Sequence, residues 1–257
     1  MPVQVEAIER LVAARRFDAV AISGDLTQRA RTSEYARAAA FLRTVEATSP
    51  TIAVPGNHDV RWWFAPMRVG RPSAIFAAWR KALDRPIEPV LHVPGVTLVG
   101  LNTSQGITSR TLTWNVRDLS VIGDLRPAQV THAAREFEHS PAGDARVIVM
   151  HHNPVKGDLS RRHGLKHTPQ ILGAFADMHV DVVLCGHDHQ EAINEVSHTR
   201  RGTIVSTAGT ISSRSRGGRP SSVNVIEVRA REIAVQTLTW SRAEGAFAEG
   251  PHKCFAR

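Results

Sequence analysis

Residues Val54-Pro55-Gly56-Asn57-His58-Asp59 place an amide, an imidazole and a carboxylate in direct succession after a short apolar run. Reactive side chains beside proline and glycine are typical of a turn at a functional site rather than of a core segment. Three similar clusters follow other β-like runs, namely Gly24-Asp25, Met150-His151-His152-Asn153-Pro154 and Gly186-His187-Asp188-His189. Four polar clusters at four strand ends predict one metal site.

The chain of 257 residues is long enough to bury a sizeable core, and no linker divides it. We therefore expect a single domain over residues 1–257. The composition is 42% hydrophobic and 22% charged, which is typical of a globular protein. No apolar run is long enough to span a bilayer, so we expect no membrane partner.

The charge balance favours anionic partners. Lys and Arg number 32 against 24 Asp and Glu, which gives a net charge of +8. Such a molecule attracts phosphate esters, nucleotides or nucleic acid, and charge alone does not choose among them. The two cysteines, Cys185 and Cys254, do not form a disulfide framework, and the N-terminus has no signal-peptide hydrophobic region. We therefore expect a cytoplasmic protein.

Helices alternate with strands in the first two thirds of the chain, and strands alone follow. We expect helices over residues 5–16, 32–45 (capped by Thr32 or Ser33), 73–83, 127–137 and 169–178, and strands over 17–23, 51–54, 96–101, 146–150, 181–185, 192–196, 203–206, 223–228 and 233–239. The alternating part predicts an α/β fold. The last four strands are expected to be antiparallel neighbours, and this β-rich half could stack a second sheet on the first.

The five candidate ligands converge if their strands are neighbours, because the carboxyl ends of parallel strands open into one crevice. They are Asp25, Asn57, His151, His187 and His189. This mixture of oxygen and imidazole nitrogen suits Mn, Fe, Zn or Co better than Ca or Mg. Asp25 is the sole carboxylate among them and is the natural bridge between two metals. The neutral amide of Asn57 keeps the centre positive, which favours an anionic phosphate.

The chain resembles the calcineurin-like metallophosphoesterases, and more narrowly the bacterial class III cyclic nucleotide phosphodiesterases. The family pattern is Asp-x-His, Gly-Asp, Gly-Asn-His-Asp/Glu, a His after a strand, and Gly-His-x-His. Four of these five blocks occur here in order, and the resemblance covers nearly the whole chain. It implies two stacked mixed β-sheets flanked by helices, and hydrolysis of phosphodiesters, with cyclic nucleotides as candidate substrates. Other small phosphate esters come next, and a polynucleotide is not favoured.

The resemblance also implies a role for each matching residue. One metal takes Asp25, Asn57, His151 and His187, and a second metal takes Asp25 and His189. A hydroxide held between the metals attacks phosphorus in line. His58 protonates the leaving oxygen or stabilises the five-coordinate phosphorus, and Asp59 orients the His58 ring.

The Asp-x-His block is the one departure from the family pattern. It should end a first strand, but this sequence starts on the helix that follows. We expect Met1 to be a misassigned or truncated start, with the first strand upstream. Without that block the chain could hold one metal instead of two and be a catalytically impaired binding protein. A phosphomonoesterase or nuclease on the same scaffold is the other alternative.

Some assignments stay open at this stage. His151 is favoured over His152 as the ligand because it directly follows the strand, although the reverse is allowed. Trp62 and Trp63 could stack a nucleobase, but such residues more often anchor a loop. The loop residues Arg214, Arg216 and Arg219 could steer phosphate, but a solvated loop is the commoner case.

Overall fold

The computed structural model describes residues 3–60, 75–106, 121–157, 164–197, 202–212 and 217–257. Within these ranges the α-helices are α1 (Val3–Arg15), α2 (Thr32–Glu46), α3 (Ala77–Leu83), α4 (Pro127–Glu138) and α5 (Thr168–Asp177), and one turn of 3-10 helix spans Asn57–Asp59. The strands are β1 (Val20–Ile22), β2 (Thr51–Ala53), β3 (Val90–Val93), β4 (Val96–Leu101), β5 (Ala145–Met150), β6 (Val182–Cys185), β7 (Ala192–Ser197), β8 (Gly202–Thr207), β9 (Ser222–Val228), β10 (Glu232–Ser241) and β11 (Ala246–Ala256).

A six-stranded sheet in the order β3-β4-β5-β6-β8-β7 is the largest element. Its four inner strands are parallel, and the two edge strands run antiparallel to their neighbours. The inner strands read as continuous apolar runs because both faces of the sheet are covered. Along β5, Val147 and Val149 lie on one face, whereas Ile148 and Met150 pack on the other face with Phe175 of α5.

The second layer of strands covers the face that carries Val149. It contains the parallel pair β1-β2 and the antiparallel sheet β11-β10-β9. Ile52 of β2 and Val235 of β10 are both buried in the core between the layers. Helices α1, α2 and α3 pack on the outside of this layer, and α4 and α5 pack on the far face of the six-stranded sheet. The predicted fold, two sheets flanked by helices, is confirmed.

Several details differ from the sequence-based expectations. Strands β7 and β8 were expected in the stacked sheet with β9 and β10, but they join the first sheet, since β8 pairs in parallel with β6. Neither β3 nor β11 was expected. β11 carries Gly250-Pro251 opposite an irregularity in β10, which hides its alternating pattern. Helix α2 starts after Arg31 because the Glu34 carboxylate accepts the Arg29 and Arg31 backbone N–H groups, at 2.9 and 3.1 Å.

No helix among the described residues is long and apolar enough to cross a bilayer. The candidate ligands follow β1, β2, β5 and β6, so the strand pairings decide whether they meet. β1 pairs with β2, and β5 pairs with β6, each in parallel. Both pairs therefore present their carboxyl ends as neighbours, and the core between the layers holds one pair against the other.

The core between the two layers should dominate the stability of this arrangement. Val149 is fully buried there, so Val149→Ala should lower the free energy of unfolding by about 2 kcal/mol. Val3→Ala is the matched control, because Val3 is 56% exposed and should change that energy by less than about 0.5 kcal/mol. Urea unfolding measures both. Equal losses for the two variants would contradict the layer assignment.

Candidate metal centre

Polar side chains from four turns meet at the carboxyl ends of β1, β2, β5 and β6. The Asn57 Oδ1 lies 3.0 Å from His151 Nε2 and 3.2 Å from His187 Nδ1. The two imidazole nitrogens are themselves 3.2 Å apart. Asp25 Oδ2 lies 3.4 Å from His151 Nε2. Residues that are far apart in the sequence thus form one compact cluster.

These separations match the edges of a coordination polyhedron. Two ligand atoms that each bind a cation at about 2.1 Å, with an angle of roughly 90° to 109° between them, lie about 3.0–3.4 Å apart. All four measured separations, from 3.0 to 3.4 Å, fall in that interval. The set of one carboxylate, one amide oxygen and two imidazoles is suited to a divalent transition metal.

The tautomer of His151 makes this cluster suitable for a cation. Its Nδ1 lies 2.7 Å from the Ser23 carbonyl oxygen, which can only accept, so Nδ1 carries the proton. Burial lowers the pKa of His151 below its usual value, so the ring is neutral and Nε2 presents a lone pair. That lone pair faces oxygens of Asn57 and Asp25. A cation between these atoms relieves their mutual repulsion.

Asp25 uses its two oxygens differently. Oδ1 accepts the backbone N–H of His58 at 3.0 Å, and Oδ2 faces His151. The turn at Gly56 passes so close that a Cβ there would lie 2.1 Å from Asp25 Oδ1 and 2.4 Å from its backbone nitrogen. Residue 56 must therefore be glycine for the Asp25 carboxylate to occupy this position.

Several of these residues have left-handed backbone conformations. The φ angle is +57° at Asp25, +71° at His187 and +52° at His189. Such angles are uncommon outside glycine and cost on the order of 1–3 kcal/mol each. The chain turns sharply after β1 and β6, which directs these side chains into the crevice. Left-handed backbone at polar residues that lie together is typical of a functional site, although Arg16, Ala30, Asp84, His167 and His179 also have positive φ angles.

His189 lies on the same turn as His187 and is half-buried. It is close enough to His151 for its charge to lower the pKa of that imidazole, in addition to the larger effect of burial. This places His189 beside the cluster. Its assignment to a second metal, together with Asp25, stays a prediction.

The side chains of His58 and Asp59 have separate hydrogen-bond partners and do not bind each other in the way that was expected. The ring Nδ1 of His58 lies 2.8 Å from the Gln28 carbonyl oxygen, so this backbone group orients the ring. Asp59 was expected to do so, but its carboxylate is fully buried and accepts backbone N–H groups. These come from Thr27 at 2.7 Å, Gly56 at 2.9 Å and Leu26 at 3.1 Å. Asp59 therefore ties the turn after β1 to the turn after β2.

The environment of Asp59 raises its pKa to about 7, because burial disfavours the charged form and Asp25 adds a nearby negative charge. Hydrogen bonds from Gly56 and Thr27 act in the opposite direction. The Tyr35 hydroxyl also donates to the Asp59 backbone carbonyl. The sequence alone could not reveal that Asp59 binds backbone N–H groups, because the same residues are equally compatible with a carboxylate that faces the His58 ring.

His152 is the residue whose position the sequence left most open. Nitrogens of His151, His152 and His187 all lie within 4.8 Å of one another. His152 is 1% exposed, and its Nδ1 lies 2.7 Å from Thr103 Oγ1. Burial lowers the pKa of His152 well below its usual range; the charges of His187 and His151 add to this effect, and the Val121 carbonyl opposes it. It is thus a buried, neutral member of the cluster rather than a rim residue.

Other sequence candidates lie apart from the cluster or beyond the described ranges. Trp62, Trp63 and the loop arginines Arg214 and Arg216 fall outside the described residues. Arg219 is described, and its guanidinium lies 2.8 Å from Glu191. This ion pair accounts for its position.

A family model described as calcineurin-like phosphoesterase matches residues 3–191. A probable cyclic nucleotide phosphodiesterase of Rhodococcus erythropolis is 26% identical over 195 residues, which cover 72% of this chain and 56% of that protein. The 3',5'-cyclic adenosine monophosphate phosphodiesterase CpdA of Escherichia coli K12 is 25% identical over 179 residues, which cover 68% and 55%. The chain thus spans little more than half the length of these relatives.

Among solved structures, GAP50 of Plasmodium, described as the anchor in the inner membrane complex, superposes with a TM-score of 0.58. The match has 12% identity and covers 97% of this chain and 84% of that chain. At this identity the likeness shows a shared fold alone.

The close approach of Gly56 to Asp25 predicts a specific loss of metal binding. In Gly56→Ala the added methyl group has no room, so the turn must move and Co²⁺ affinity should fall by about tenfold or more. Gly173→Ala is the matched control, because nothing lies within 4 Å of a Cβ there. Calorimetric Co²⁺ titration measures both variants. Unchanged affinity in Gly56→Ala would contradict the described seat of the carboxylate.

The buried Asp59 carboxylate predicts a loss of stability. Asp59→Ala leaves three backbone N–H groups without their acceptor, so the free energy of unfolding should fall by about 3 kcal/mol or more. Asp18→Ala, at an exposed position, should change it by less than about 0.5 kcal/mol. Urea unfolding of the metal-free protein tests this. Similar values for the two variants would show that Asp59 does not tie the turns together.

Proposed function

The chain belongs to the calcineurin-like phosphoesterase family, and from that premise we propose that it is a metal-dependent hydrolase of phosphodiesters, with 3',5'-cyclic nucleotides as candidate substrates. The observation that carries this proposal is the group of lone pairs converging from Asp25, Asn57, His151 and His187. The names of the two relatives support the choice of a cyclic nucleotide.

The donor set supports Mn or Fe, and equally Zn or Co, as the bound metal. When bound, the ion acts as a Lewis acid on a phosphoryl oxygen and lowers the pKa of a water molecule. Asp25, Asn57, His151 and His187 would hold the first ion. A second ion would use Asp25 and His189. Asn57 adds no negative charge, so the loaded centre keeps a net attraction for a phosphodiester anion.

His58 is the group that we assign to the leaving oxygen. Its backbone N–H is fixed on Asp25, and its ring Nδ1 is fixed on the Gln28 carbonyl. With Nδ1 so occupied, Nε2 of the protonated ring is the nitrogen free to donate. As the phosphorus–oxygen bond breaks, the Nε2 proton passes to the departing alcohol, and the ring is left neutral. Asp59 supports this step indirectly, by holding the turn that carries His58.

The proposed function also includes a domain organisation, a partner and a cellular location. We propose one phosphoesterase domain over residues 1–257 and a small phosphate ester as its partner, rather than a polynucleotide. A reducing cytoplasm fits the two unpaired cysteines, of which Cys185 is buried and Cys254 is exposed. The net charge of +8 favours anionic substrates in general.

The proposed function predicts a distinct substrate pattern. Protein loaded with Mn²⁺ should hydrolyse bis-p-nitrophenyl phosphate and 3',5'-cyclic AMP faster than p-nitrophenyl phosphate, and dialysis against a chelator should abolish turnover. His151→Ala should lower kcat/KM by about 100-fold or more, because it removes a proposed metal ligand that contacts both Asn57 and Asp25. Colorimetric release of p-nitrophenol and separation of AMP measure these rates.

The matched control is His139→Ala, which removes an exposed imidazole just after the end of α4 and should leave kcat/KM within twofold, or about 0.4 kcal/mol. Turnover of the monoester alone would replace the diesterase by a phosphomonoesterase. Full turnover in the presence of excess chelator would contradict the proposed metal dependence.

A further inference from the structure

His152 is a buried imidazole that the proposed reaction does not use. Close neighbours fix the position of the ring. Thr103 Oγ1 lies 2.7 Å from Nδ1, and a Cβ at Gly123 would lie 2.4 Å from the same nitrogen. Gly123 is itself held in place by backbone hydrogen bonds with Gly164 and Lys166, at 2.8 and 2.9 Å.

The second ring nitrogen of His152 has a different environment. Nε2 is buried and has no partner of normal hydrogen-bond geometry among the described residues, although the Val121 carbonyl lies close enough to the ring to raise its pKa slightly against the effect of burial. A buried polar group without a partner costs about 1–3 kcal/mol. Most buried polar side-chain atoms in native structures are hydrogen-bonded to the protein, to ordered water or to an ion, so this nitrogen requires an explanation. A partner other than these described side chains is therefore expected at Nε2.

The direction of that partner follows from the histidine cluster. The ring centroid of His152 lies 4.5 Å from that of His187 and 4.8 Å from that of His151. One nitrogen of each of the three rings lies within 4.8 Å of the other two. Opposite ligands of one cation lie about 4.2 Å apart, so a shift of about 0.6 Å brings all three nitrogens within reach of one ion. Thr103 occupies Nδ1 of His152, so Nε2 is the nitrogen left for a ligand near the other two rings.

We propose that His152 is a third imidazole ligand of the metal centre, which binds the cation through Nε2 while its Nδ1–H donates to Thr103 Oγ1. Thr103 is suited to this role because its oxygen, with two lone pairs, also accepts the backbone N–H of His152 at 3.2 Å. Metal-bound imidazoles commonly donate their other N–H to such an acceptor. The inference rests on the proposed function in requiring a cation at this site.

A third neutral imidazole changes which metal the centre prefers. Three imidazoles beside one carboxylate favour Zn²⁺, Co²⁺ or Fe²⁺ over the harder Mn²⁺. The extra ligand adds no negative charge, so the affinity of the loaded centre for an anionic phosphate is kept. The chain would thereby bind its first metal tightly with few carboxylates.

The experiment counts imidazoles at the metal. The full chain is loaded with one equivalent of Zn²⁺, and X-ray absorption at the zinc edge counts the bound imidazoles in wild type and in His152→Phe, which keeps a planar ring. We expect the count to fall by one and the Zn²⁺ affinity, measured by competition with a chromophoric chelator, to fall by about tenfold or more. His132→Phe is the control, since that half-buried histidine lies on α4, away from the cluster, and should change neither value.

Thr103→Val provides a second variant that keeps the imidazole. Valine has nearly the same shape but cannot accept the Nδ1–H, so the Zn²⁺ affinity should fall by about 10- to 100-fold with the imidazole count unchanged. Unchanged affinity in this variant would overturn the proposal, and this result does not depend on whether His152→Phe folds.

Two further results would overturn the proposal. One is an imidazole count that stays the same in His152→Phe while zinc remains bound. The other is unaltered zinc binding together with weakened binding of inorganic phosphate, which would make Nε2–H a donor to the anion instead. Failure of the proposed function looks different, because wild-type protein would then bind no cation at the centre or hydrolyse no phosphodiester.

Discussion

The hydrogen bond from His151 Nδ1 to the Ser23 carbonyl is the constraint on which the centre depends. It links the end of β1 to the end of β5 at 2.7 Å and fixes the imidazole tautomer. Because the buried ring is neutral, its Nε2 lone pair must face the oxygens of Asn57 and Asp25. The protein thus directs several electron-rich atoms to one point, an arrangement that a cation among them would stabilise.

The layered fold supplies the accuracy that this arrangement requires. The turns after β1 and β2 follow the two-stranded sheet of the second layer, whereas those after β5 and β6 follow the six-stranded sheet. Asp59 joins the first two turns through three backbone hydrogen bonds. The core around Val149 and Ile52 holds the two layers together. Rigid packing therefore offsets the left-handed backbone strain at Asp25 and His187.

Much of the fold and of the candidate site could be predicted from the sequence. The polar residues of the site directly follow the apolar runs that form the strands. The parallel strands read as apolar runs such as Val147–Met150, and each ends directly at a polar cluster. The six-residue block at Asn57 could be recognised for the same reason. What the pattern could not show were contacts made by backbone atoms. The carbonyls of Ser23 and Gln28 orient two histidines, and a carbonyl has no signature in the sequence.

The proposed binding of a cation by Asp25, Asn57, His151 and His187 is tested most directly by anomalous diffraction. Crystals soaked in Co²⁺ and measured at the cobalt absorption edge should show a peak about 2.0–2.2 Å from His151 Nε2, His187 Nδ1 and the facing oxygens of Asn57 and Asp25. A fully soaked crystal with no peak among these atoms, or with peaks only elsewhere on the molecule, would contradict the centre.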